Sequence, residues 1–128
     1  MMTSVDVWVG SFASRERLDD YLEERYDDEE APLSEFACDM NEKFYDHDFL
    51  ESSFQEQSTK NIEAILDEHS LSPMCLRLAV EAFEKESEPV NTALLMWNED
   101  PYLQISAPKS VQKEGVRLRF LGHFECNN

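Results

Sequence analysis

The chain has 128 residues, 41% of them hydrophobic and 11% aromatic, enough to bury a core and too apolar for a disordered segment. It carries 28 acidic residues against 11 basic ones, for a formal net charge of −17. Such a field repels nucleic acid and anionic membrane, so the expected partner is a basic protein. The charge is also uneven: residues 1–70 hold 20 acidic and 5 basic side chains, residues 71–128 hold 8 and 6.

In chain order, Val5, Val7 and Val9 alternate with Asp6 and Trp8 ahead of Gly10 and Phe12, which predicts a strand over 4–12. Ser14 is an N-cap for a helix that buries Leu18, Tyr21 and Leu22 and runs to Tyr26, with Glu16, Asp19, Asp20, Glu23 and Glu24 outward. DDEEAP at 27–32 is an acidic loop closed by proline, and Ser34 starts a short helix with Phe36, Ala37 and Met40 inward. HDFLESSF at 47–54 reads as a short strand or extended segment. Residues 59–69 predict a helix burying Ile62, Ile65 and Leu66; Ser72 and Pro73 start another, with Leu76, Ala79, Val80 and Phe83 inward.

TALLMW at 92–97 predicts a buried strand, NEDP at 98–101 a turn, and YLQIS at 102–106 a further strand. Val116, Leu118, Phe120, Gly122 and Phe124 follow a two-residue period that puts their side chains on one face of a last strand. The order predicts one α+β domain over residues 1–128: a largely antiparallel sheet with helices packed on one face. Cys38, Cys75 and Cys126 have no zinc or CxxC spacing and read as reduced thiols. No secretory leader and no apolar run of membrane-spanning length occurs, so the expected compartment is the cytoplasm.

FYDHDFLESSF at 44–54 spends Asp46, His47, Asp48 and Glu51 among large apolar residues. A hard cation would need several carboxylate oxygens converging on one point, and Asp46, Asp48 and Glu51 carry the atoms for a metal-dependent hydrolase. In an extended segment, however, neighbours point to opposite faces, and neither an EF-hand nor HExxH is present. There is no GxSxG elbow, no ordered Cys–His pairing, and with three glycines no phosphate-cradling loop. The expectation is therefore a binding protein, not an enzyme, without metal or cofactor. A surface is expected instead, of carboxylates with Tyr26 and Tyr45, where an aromatic ring packs on an arginine stem and an acid takes the guanidinium. Trp8 and Trp97 lie in strand-like runs and read as core.

VWVGSF at 7–12, LDDYLEERYDDE at 18–29, EFACDM at 35–40 and, above all, FYDHDFLESSF resemble the immunity protein 22 family of bacterial polymorphic toxin systems; NTALLMWN at 91–98 agrees more loosely. The resemblance implies a small cytoplasmic α+β protein that binds and neutralises a toxin, with no catalytic residue or cofactor to carry over. It highlights Trp8, Gly10, Tyr21, Tyr26, Phe36, Tyr45, Asp46, Asp48, Phe49 and Glu51. Charge and resemblance together place toxin contact on Tyr26, Asp27, Asp28, Glu29, Glu30, Tyr45, Asp46, Asp48 and Glu51, against a basic toxin such as a nuclease. A DNA mimic would share the acidity but space its carboxylates like phosphates. Neither the toxin nor the oligomeric state is legible in the sequence.

Overall fold

The computed structural model describes residues 2–27, 30–45, 47–69, 71–86, 88–98 and 105–127, with residues 2, 3, 47, 126 and 127 described through their backbone only. Its centre is β1 (Met2–Phe12), flanked by β3 (Val90–Trp97) and β5 (Val116–Asn127). The edges are β2 (Leu50–Thr59) and β4 (Val111–Lys113), in the order β2-β3-β1-β5-β4, with every pairing antiparallel. The α+β sheet expected from the sequence is the one found.

The helices lie on both faces, however, and not on one. β1 is apolar on each side: Val5, Val7 and Val9 bury against α3 (Ile62–Leu66) and α4 (Pro73–Phe83), while Trp8 and Phe12 bury against α1 (Arg15–Leu22) and α2 (Glu35–Asp39). A central strand with two apolar faces requires a cover on each. Trp8 meets Phe36 edge-on at 5.3 Å between ring centroids and Phe120 at 5.2 Å, and its indole N–H donates to the Lys109 carbonyl at 3.0 Å.

Serine caps start three of the helices as expected: Ser14 accepts from the Arg17 amide, Ser34 from Ala37 and Ser72 from Cys75, each cap contributing about 1 kcal/mol. α1 stops at Leu22, four residues short of the predicted Tyr26. Its last turn holds no basic residue, while Asp19, Asp20 and Glu23 crowd a helix end that favours cations. The chain continues extended, the Arg25 amide donating to the Leu33 carbonyl at 2.7 Å. β2 reaches Thr59, so the helix predicted over 59–69 is confined to α3.

Val116, Leu118 and Phe120 pack on the α1/α2 face, but Phe124 packs on the other with Leu121. The cause is a bulge: Val7 faces Gly122 while Trp8 faces Phe120, leaving Leu121 as the extra residue and inverting the alternation beyond it. Gly122 takes φ 157° at this point, a conformation that L side chains rarely adopt. At Gly10 the constraint is contact, because a Cβ would collide with the Arg117 carbonyl oxygen across the β1–β5 pair. β1 ends on a side-chain clasp, where the Asn91 amide accepts from the Phe12 N–H and donates to the Phe12 carbonyl, both at 3.1 Å.

The turn predicted at 98–101 and the strand predicted at 102–106 lie largely outside the described residues. Cys38 is a free exposed thiol, whereas Cys75 is disulfide-bonded, which corrects the expectation of three reduced thiols.

Candidate functional site

Three polar clusters stand out, and of the expected toxin-facing residues only Glu51 belongs to one of them. Tyr45 is a core residue: 1% exposed, its ring lies edge-on to Phe36 at 5.7 Å and its hydroxyl pairs with Ser34 at 3.1 Å. The expected ring on the surface is thus a strut beneath it. Tyr26 is the opposite, with 65% of its surface exposed and its hydroxyl donating to Glu24 at 2.9 Å. The carboxylate of Glu24, with a smaller contribution from the charge of Asp48, raises the phenol above its ordinary pKa. Asp27 and Glu30 are exposed, and Glu30 pairs with Lys43 at 3.4 Å. Asp28, Glu29 and Asp46 lie outside the described residues.

Glu51 sits apart from them, in a network on β2. Its Oε2 accepts from the Trp97 indole at 2.7 Å, its Oε1 from His69 Nδ1 at 2.7 Å, and His69 Nε2 lies 3.0 Å from the Ser53 hydroxyl. Serine, imidazole and carboxylate in this order are the parts of a nucleophile relay. Here Ser53 is 5% exposed and its hydroxyl reaches the Ile65 carbonyl at 3.4 Å. With Nδ1–H given to Glu51, the Nε2 lone pair of a neutral imidazole faces the Ser53 hydroxyl, but that hydroxyl is nearly fully buried against the Ile65 carbonyl and is closed off from a substrate. The network ties β2 to β3 and to the segment after α3.

The second cluster joins α1, α2 and β4. Arg17 grips Glu35 through two bonds of 2.9 and 2.8 Å, and Lys113 Nζ lies 2.6 Å from both Glu35 and Asp39. The Arg17 bonds, assisted by Lys113, hold the Glu35 carboxyl down at about 2. Tyr21, whose hydroxyl donates to Asp39 at 2.9 Å, has its phenol pushed far up, first by burial and then by Asp39.

The third cluster lies on the α1/α2 face of the sheet centre. Asp6, 3% exposed, faces His123 across β1 and β5 and accepts from its Nδ1 at 2.7 Å. Burial raises the Asp6 pKa, and His123 and Asn98 only partly offset it. The sequence held a signal for this pair that went unused: Asp6 is the one charge in an otherwise apolar central strand. Among the described residues, no group of three or more His, Cys, Asp or Glu side chains could hold a metal ion.

Two covered faces around a five-stranded antiparallel sheet define a small α+β protein. The sequence profile of the family described as immunity protein 22 matches residues 5–127, and the chain belongs to that family. Neither a curated protein nor a solved structure matches it. The family points to toxin neutralisation in general, with a toxin as partner. Among the described residues no helix is long and apolar enough to cross a membrane.

Proposed function

We propose that the chain is a cytoplasmic immunity protein of a polymorphic toxin system, and that it occludes a basic cognate toxin, a nuclease being the type that fits best, through an acidic surface around Tyr26. The observation that carries this reading is the exposed Tyr26 ring beside Glu24 and Asp48, within the half of the chain that holds 20 of the 28 acidic residues. A nuclease is basic where it holds phosphate, and an inhibitor covering that surface gains fast, steered association from being acidic. Asp27, Glu30 and Asp48 supply described charge, and the sequence adds Asp28, Glu29 and Asp46. Tyr45 supports the surface from beneath. The role is binding, without catalysis.

The test is protection of toxin-expressing cells at matched soluble expression. Tyr26→Ala combined with Asp27→Asn, Glu30→Gln and Asp48→Asn abolishes protection, whereas Glu81→Gln with Glu84→Gln, exposed positions at the α4 side, leaves it intact. Equal protection by both variants refutes the surface. The compartment has its own test, since a disulfide at Cys75 is unusual in a reducing cytosol: because Cys75 is buried, cells are acid-quenched and the protein is alkylated after denaturation, and Cys75 should be labelled if the proposed location holds.

A further inference from the structure

A cleft of about 290 Å³ opens on the α1/α2 face, lined by Asp6, Asn98, Ile105, Ser106, Pro108, Phe120 and His123. Its polar floor is biased toward acceptors. The Asp6 carboxylate is nearly fully buried and binds His123 Nδ1–H through Oδ1. Asn98 Nδ2 lies 3.4 Å from that same Nδ1, which has already committed its proton to Asp6 and cannot accept. The amide N–H therefore goes to the Asp6 carboxylate, whose charge it stabilises. This fixes the orientation of the amide and leaves Asn98 Oδ1 buried without a hydrogen-bond partner. A buried, unsatisfied acceptor beside a desolvated carboxylate is costly to keep and has the chemistry of an unfilled half of a binding site. Glu125 adds charge at the rim, its Oε1 being 3.7 Å from His123 Nε2.

We infer that this cleft receives a guanidinium, the side chain of an arginine presented by the toxin partner. A guanidinium carries five N–H donors and no acceptor, so it satisfies Asp6 and Asn98 Oδ1 together, and its flat face suits the apolar walls of Ile105, Pro108 and Phe120. An anion is repelled by Asp6 and by the overall charge, and a neutral ligand adds no charge to the partial compensation that His123 and Asn98 give the buried carboxylate. The cleft also borders the acidic segment, because Ser106 donates to Glu42 at 2.8 Å just past α2. Attribution of the arginine to a toxin rests on the function proposed above; the guanidinium chemistry does not.

The probe is therefore L-argininamide, titrated into the intact protein and followed by the NMR signal of the His123 imidazole, with tetramethylammonium chloride at matched ionic strength as control. A saturable shift is expected with argininamide and none with the control. Affinity falls about tenfold or more in Asp6→Asn and in Asn98→Leu, each of which removes one acceptor. Asn98 is only half-buried, so Asn98→Leu decides the matter should Asp6→Asn fold poorly. A shift no larger than the control's, or one undiminished in the folded variants, overturns the inference. Either outcome is independent of the Tyr26 surface, whose variants leave the cleft untouched.

Discussion

Trp97 on β3 and Glu51 on β2 are joined by a 2.7 Å hydrogen bond from the indole N–H to a carboxylate whose other oxygen is held by His69. With both oxygens engaged, Glu51 is part of the frame that keeps the edge strand on the sheet. Glu51→Ala should lower stability by about 2 kcal/mol, the loss of hydrogen bonds to a charged group, whereas Asp27→Asn should change it by less than about 0.5 kcal/mol. Urea midpoints at neutral pH measure both. Equal midpoints for the two variants would place Glu51 among the solvated acids.

Asp6 is retained at a stability cost. Burial raises its folded pKa above the ordinary 3.8, so the folded state holds the proton more tightly than the unfolded chain. The penalty is absent below the unfolded value and sets in as pH rises through 3.8 and then through the folded value. Asp6→Asn should therefore be as stable as the parent or more so near neutral pH, with the advantage vanishing by about pH 3. A variant clearly less stable at neutral pH would mean that His123 more than offsets the burial.

Glu35 behaves in the opposite sense. Its folded value of about 2, against 4.5 unfolded, supplies stability that is present above 4.5 and is lost as pH falls toward 2. Because the Glu35–Arg17 pair is partly solvated, Glu35→Gln should cost only on the order of 1 kcal/mol at neutral pH and nothing near pH 2. Denaturation of both proteins across that range is the check.

Much of the frame was legible because its signals are local. Ser14, Ser34, Ser72 and Pro73 mark helix starts by chemistry that acts within three residues, and Val5, Val7 and Val9 mark a strand by period alone. What was missed depends on distant partners. The second apolar face of β1 was visible in Trp8 and Phe12, but its cover comes from α1 and α2, and nothing local says that those helices cross to the other side from α3 and α4. Leu121 looks like an ordinary strand residue, and only the register against Val7 and Trp8 makes it a bulge. β4 is a three-residue edge whose cue was the Glu114–Gly115 turn into β5. Of the expected contact surface, Tyr26 is exposed as read, while Tyr45, similarly flanked by acids, fills the core because Phe36 and Ser34 await it there. The Asp6–His123 pair spans 117 positions and lay beyond any motif.

The acidic surface is tested most directly by stopped-flow association of the chain with its cognate toxin across a salt series. Raising salt from ~0.1 M to ~1 M shrinks the Debye length from ~10 Å to ~3 Å, so the association rate of the parent protein should fall by roughly tenfold or more while dissociation changes little. The variant carrying Tyr26→Ala, Asp27→Asn, Glu30→Gln and Asp48→Asn should associate slowly at low salt and respond weakly to added salt. A parent rate that is flat across the series, or a variant with the same rate and slope as the parent, would contradict steering by this surface.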